Sequence, residues 1–169
     1  MDSNSSSSLQ PTSLKLDDET HRLWGILLAA RQDHKNLSLM SGYLDCLCGR
    51  FDGYERKLTL PASAELRLLI QRAKDLTDDW YTHLSEIDKS LQDIAWQFAC
   101  HAFGLHRDDY VQYGNRILYP HRLFVIDETV GNLGLCGRIA TKSGIPGTRE
   151  LEFSLLHASW TAIPRGHDE

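Results

Sequence analysis

No apolar run in this 169-residue chain approaches the roughly 18 residues that a membrane-spanning helix requires. Basic excess is also missing: 18 Lys and Arg stand against 23 Asp and Glu, which argues against a protein that coats nucleic acid by neutralising phosphates. Cysteines number four, too few and too scattered for a disulfide framework. Cys46 and Cys48 are the one close pair, but two residues apart on a helix is about 200° of rotation, so their thiols diverge and do not chelate a common zinc. Cys100 and Cys136 stand alone, so no standard metal-ligand spacing exists.

Motifs for cofactors and covalent chemistry are absent too. There is no glycine-rich phosphate loop and no Gly-x-Ser-x-Gly elbow. His106-Arg107-Asp108 has no asparagine at the spacing of a kinase catalytic loop, and no Asp-Phe-Gly follows it. Gly131, Gly134 and Gly137 lie between strand-like runs rather than opening a helix, so they are not a dinucleotide fingerprint. No catalytic residue, metal or cofactor is therefore assigned from sequence. Met1 is followed by Asp2, Asn4 and a serine run rather than by a basic and then apolar leader, so the expectation is a cytoplasmic protein without membrane attachment.

What is present reads as an α+β chain in three parts. Residues 1–16 are polar and serine-rich, with too little apolar surface to offset ordering entropy, and are expected to be a disordered tail. Asp17, Asp18 and Glu19 then supply the cap and first-turn charge of a helix. Its apolar positions, from Leu23 and Ile26 through Leu44 and Phe51, share one face and allow a helix over about 18–51. Asn36, Ser38, Ser41 and Gly42 make a kink or split near 34–42 equally consistent, and Asp52-Gly53 predicts its stop.

The strongest pattern follows Pro61. Leu66, Leu69, Ile70, Ala73, Leu76, Trp80, Leu84, Ile87, Leu91, Ile94, Ala95, Phe98 and Ala102 fall within about 120° of arc at helical spacing. Their alternating steps of three and four approach a coiled-coil repeat. A helix of about 40 residues, about 60 Å long, is expected to end at Gly104 and to pack as a helical hairpin within 17–104 or against a second copy. Trp80, Leu84, Ile87, Leu91 and Ile94 are the expected protein interface, with Trp80, Trp96 and Phe103 as aromatic anchors. The far face acquires Trp96, Cys100 and Phe103 towards the end, where the following module is expected to pack.

Residues 105–169 alternate strand-like runs with turn signals, predicting a small antiparallel β-sheet or partly closed barrel behind a polar link at 105–115. The runs are 117–119, 123–126, 133–140, 151–156 and 159–163. Arg116, Arg122, Arg138, Lys142 and Arg149 lie among aromatics there, and small barrels present such mixtures to nucleic acid. The module is charge-balanced, with 6 residues of each sign in 114–169.

His101, His106 and His121, with Asp108 and Asp109, gather where helix and sheet are expected to meet. His101, His106 and Asp109 are candidates for metal binding or proton transfer; the competing reading is one packed histidine and a solvated connector. Asp79, His83 and Glu86 read as local pairing on an exposed helix face.

The leading expectation is a non-enzymatic accessory or regulatory protein that forms a homodimer, or docks a protein partner, through its long helix and presents the β module for recognition. A DNA- or RNA-binding accessory factor using the five basic residues is the second reading, and a metal-dependent enzyme at the histidine cluster the third.

Overall fold

A computed structural model describes residues 13–57 and 64–165. Two helices, α1 (Asp18–Lys57) and α2 (Ala64–Phe103), precede strands β1 (Tyr110–Tyr113), β2 (Arg116–Val125), β3 (Leu133–Ala140), β4 (Pro146–Ser154) and β5 (Trp160–Ile163). All strand pairings are antiparallel, in the order β4-β3-β2-β1-β5, and the sheet is open. The α+β class follows, as the succession of helical and strand patterns predicts. No described helix is long and apolar enough to cross a membrane.

Helix α2 has the 40 residues that its periodicity predicts. Gly104, at φ 65°, turns the chain, and the N–H groups of Gly104 and Leu105 bond to the carbonyls of Cys100 and Ala99. These bonds satisfy acceptors that a helix end leaves open. Of the two readings left open at 34–42, helix α1 takes the continuous one, and it departs from expectation only in running through Asp52-Gly53 to Lys57. Gly42 costs about 1 kcal/mol relative to alanine in a helix interior, and tertiary contacts outweigh it. Ser41 is buried, and its hydroxyl accepts the Trp80 indole N–H at 2.8 Å.

The predicted tail falls mostly on residues 1–12, outside the described residues. Residues 13–16 have no regular structure yet are pinned: the Lys15 N–H bonds to the Ala102 carbonyl at 2.8 Å, and Leu14 lies over Gly131. The expected disorder does not extend to residue 16.

The described chain forms two compact units, one of residues up to 28 and from 92 onward, the other Ala29–Leu91. This division does not fall at residue 104, because both helix ends share a core with the sheet. In that core Trp24 contacts Phe98 at 4.9 Å between ring centroids, Phe98 contacts Phe103 at 6.2 Å, and Phe103 contacts Trp160 at 6.0 Å. Leu27, Leu105, Val111, Leu118, Leu123, Leu133, Leu135 and Leu155 complete it.

Alternation along the strands puts Val111, Leu118, Leu123, Leu133 and Leu135 on one sheet face. Across that face Tyr113 stacks on Phe153 at 4.5 Å, although two strands separate β1 from β4. The sheet must curl strongly about this face, since flat strands stand about 4.8 Å apart. The predicted link at 105–115 contains β1, whose short, half-polar Tyr-Val-Gln-Tyr run hides its strand character. The runs at 117–119 and 123–126 are one strand, with Pro120 at a β-bulge where its missing N–H is tolerated.

Gln92 caps a length of β2 that β1 does not pair. Its amide nitrogen donates to the Leu123 carbonyl at 2.9 Å, and its amide oxygen accepts the Leu123 N–H at 3.1 Å. The side chain thus stands in for a neighbouring strand beyond the reach of β1. Replacing Gln92 with alanine removes both bonds from a buried backbone position and is expected to lower stability by about 1–3 kcal/mol, measurable by urea unfolding with secondary structure retained.

Candidate functional site

Three side chains from three adjacent strands converge on the outer sheet face. The bulge makes His121 the extra residue of β2. Cys136, in the central strand β3, is buried, and Glu150 comes from β4. Glu150 Oε1 is 3.2 Å from His121 Nε2, while the Cys136 sulfur is 3.7 Å from His121 Nε2 and 3.8 Å from Glu150 Oε2. The carboxylate turns one oxygen to the imidazole and the other to the thiol. Among the described residues, these form the group of three His, Cys, Asp or Glu ligands whose donor atoms approach within 4.8 Å.

Local backbone geometry builds this cluster. Arg122 stands opposite Cys136, and Cys136 opposite Glu152, so their side chains share the face. Arg138, opposite Glu150, places Nε 3.7 Å from Glu150 Oε1. Phe124 packs so closely on Gly134 that a Cβ there would clash with the ring, which leaves only glycine room beside this face. Burial, followed by the negative charges of Glu150 and Glu152, pushes the Cys136 thiol up to about 11. It is a protonated, sheltered thiol rather than an activated nucleophile.

The sequence-derived histidine cluster is not brought to one centre. His101 Nε2 pairs with the Asp17 carboxylate at 3.0 Å, and Asp17 is also the N-cap of α1, accepting the Thr20 N–H at 2.8 Å. Asp109 is buried and accepts the His106 backbone N–H at 2.8 Å, a structural turn. The His106 ring faces the Cys100 sulfur at 3.4 Å. His121 goes to the sheet cluster instead. The packed-and-connector reading describes His101, His106 and Asp109 better than a shared metal.

Beside Cys100 lies an open groove of about 720 Å³ lined by Asp93, Trp96, Gln97, Cys100, His101 and Arg107. Arg107 is tied to Asp93 at 3.0 Å. Cys100 occupies the last turn of α2 and is half-buried. The Trp96 indole N–H is buried without a partner.

The interface candidates divide. Trp80, Leu84, Ile87, Leu91 and Ile94 are half-buried. Trp96 and Phe103 are 5% and 4% exposed, so these two expected anchors belong to the chain's own core and are withdrawn from any partner surface. Arg116, Arg122, Arg138, Lys142 and Arg149 are all exposed, but they form no uniform basic face, because Glu150 and Glu152 interleave with Arg122 and Arg138. His83 meets Glu86 at 3.7 Å on the exposed face of α2, as local pairing predicts.

Strand register, invisible in linear spacing, is what hid the sheet cluster: its members are 15 and 14 residues apart. The bulge at Pro120 is the one local feature that redirects His121. No protein-family model, curated protein or solved structure matches the chain.

Two expected outcomes follow from the geometry. At pH 8 an alkylating reagent should modify exposed Cys46 more than about tenfold faster than Cys136, read by peptide mass spectrometry. The second concerns Asp17, held well below the usual carboxylate range chiefly by Lys15, then by the Thr20 N–H, His101 and the Thr20 hydroxyl. A carboxyl whose pKa falls on folding stabilises the native state above its unfolded value of about 3.9, and that stability is lost as pH falls through the folded value. Asp17→Asn should therefore melt earlier than the parent at pH 7, and the difference should shrink below about pH 4.

Proposed function

We propose that the chain is a non-enzymatic cytoplasmic interaction protein that self-associates through Ala29–Leu91 and presents its β module to a protein partner. The observation that carries this reading is the poor cover of the helical unit. Ile70 is its one fully buried apolar side chain among the described residues, while Leu39, Met40 and Tyr43 of α1 and Leu68, Leu69 and Leu76 of α2 are exposed.

The two helical segments run antiparallel, as the Trp80 bond to Ser41 and the 3.6 Å approach of His34 to Asp88 require. Their contact lies over Ser41, Ile70 and Thr77, which are buried. Leu69 and Leu76, seven residues apart, sit on the flank of the same apolar stripe and are 60% and 68% exposed. One antiparallel helix is too narrow to cover a stripe of about 120°. A second copy provides two more helices, and four helices enclose such a stripe about a two-fold axis. Each enclosed leucine contributes about 1.5–3 kcal/mol.

Sedimentation equilibrium tests the proposal. The parent chain should be a dimer at micromolar concentration, and the double substitution Leu69→Glu and Leu76→Glu should yield a monomer with an unchanged circular dichroism spectrum. Exposed substitutions cost the fold only about 0.5 kcal/mol, so loss of the dimer reports the interface. A monomeric parent refutes self-association, and a double variant that still dimerises refutes this face as the interface.

A further inference from the structure

We infer that His121, Cys136 and Glu150 form a binding site for one zinc ion. Tetrahedral zinc, with bonds of about 2.0–2.3 Å to nitrogen, oxygen and sulfur, sets its ligand atoms about 3.3–3.6 Å apart. Here His121 Nε2 lies 3.7 Å from the Cys136 sulfur and 3.2 Å from Glu150 Oε1, the sulfur lies 3.8 Å from the other carboxylate oxygen, Oε2, and one donor atom of each residue lies within 4.8 Å of the others. Side-chain rotation at the two exposed ligands suffices to close the difference.

Ligand chemistry selects the ion. One thiol, one imidazole and one carboxylate are a borderline-soft set, unsuited to magnesium or calcium, which take oxygen. A single sulfur is too few for copper(I), which favours several soft ligands. On binding, the Cys136 S–H bond breaks, its proton passes to solvent, and the sulfur's electron pair forms the bond to zinc. The thiolate and the Glu150 carboxylate then balance the two charges of the cation, while His121 binds neutral. No electron transfer is involved.

The frame is rigid where it needs to be. Cys136 is held in the central strand of the three and is 3% exposed, whereas His121 and Glu150 retain 38% and 47% exposure of their side chains. The buried sulfur is thus the fixed corner, and the two outer ligands close over the ion. Arg138 contacts Glu150 at the edge and is 55% exposed, free to swing towards water when the carboxylate turns to metal. Glu152, opposite Cys136, adds negative charge nearby. Three protein ligands leave the fourth position open to water on the solvent side, and the ion would join β2, β3 and β4 across the face opposite the core.

Cobalt(II) is a direct probe, because its bond to a thiolate produces a sulfur-to-metal absorption in the near ultraviolet. The reduced, chelator-stripped full chain titrated with cobalt should develop this band to saturation at one equivalent, and zinc should displace it. Cys136→Ser should abolish the band, and His121→Asn and Glu150→Gln should each weaken cobalt and zinc binding by roughly tenfold or more. Cys100→Ser should leave both unchanged. The exposed His121 and Glu150 variants keep the test decisive if the buried Cys136 variant does not fold. Absence of the band in the parent, parental affinity in both His121→Asn and Glu150→Gln, or loss of the band in Cys100→Ser overturns the site.

Discussion

The ring contacts from Trp24 through Phe98 and Phe103 to Trp160 are the constraint on which the rest of the structure depends. They join the start of α1, the end of α2 and the last strand into one core, and aromatic side chains of this size each bury about 150–250 Å². The Trp24 indole N–H also reaches the Glu128 carbonyl at 3.2 Å, fixing the loop after β2. With both helix ends held there, the turn at Gly104 and the pinned segment at Lys15 have defined places. Gln92 then lies where its amide can serve the edge of β2.

The same arrangement explains why the middle of the helices is left short of cover. The sheet supplies a core for residues up to 28 and from 92 onward, and the apolar stripe of α2 continues well beyond that supply. Within Ala29–Leu91 each helical segment has the other for cover, and the stripe is wider than that contact. Exposure of Leu69 and Leu76 is the direct result. The outer sheet face has a different origin: Gly134 makes room for Phe124, the bulge at Pro120 redirects His121, and register brings Glu150 and Glu152 beside Cys136. A buried thiol among carboxylates arises there without strain on the core.

Much of this fold was legible in the sequence. The span of α2 and its glycine stop came from periodicity and one residue's conformational freedom, and β3 from a continuous apolar run bounded by turns. Where reading failed, tertiary context overrode local preference. Asp52-Gly53 reads as a helix stop, yet α1 runs on to Lys57, while at 34–42, where a break and continuity read equally well, the helix is continuous and Ser41 is bonded by Trp80. The Tyr110–Tyr113 strand is short and half polar, so only its pairing with β2 and β5 marks it. Pro120 interrupts a strand only if bulges are ignored. Of the candidate sites, His101 and Asp109 were visible as residues but not as partners, since the Asp17 that holds His101 is 84 positions away. The cluster of His121, Cys136 and Glu150 required the register of three strands, which no local spacing contains.

Hydrogen exchange of the full chain at two widely separated protein concentrations tests most directly the account in which the sheet core holds the helix ends and, as proposed, a second copy covers the rest of the helices. Amides of 92–103 and of β2 and β3 should be equally and strongly protected at both concentrations, because their stability is intramolecular. Amides of the described residues within 29–91 should gain protection as concentration rises, by mass action. Concentration-independent protection across 29–91, as strong as that of the sheet, would contradict the account.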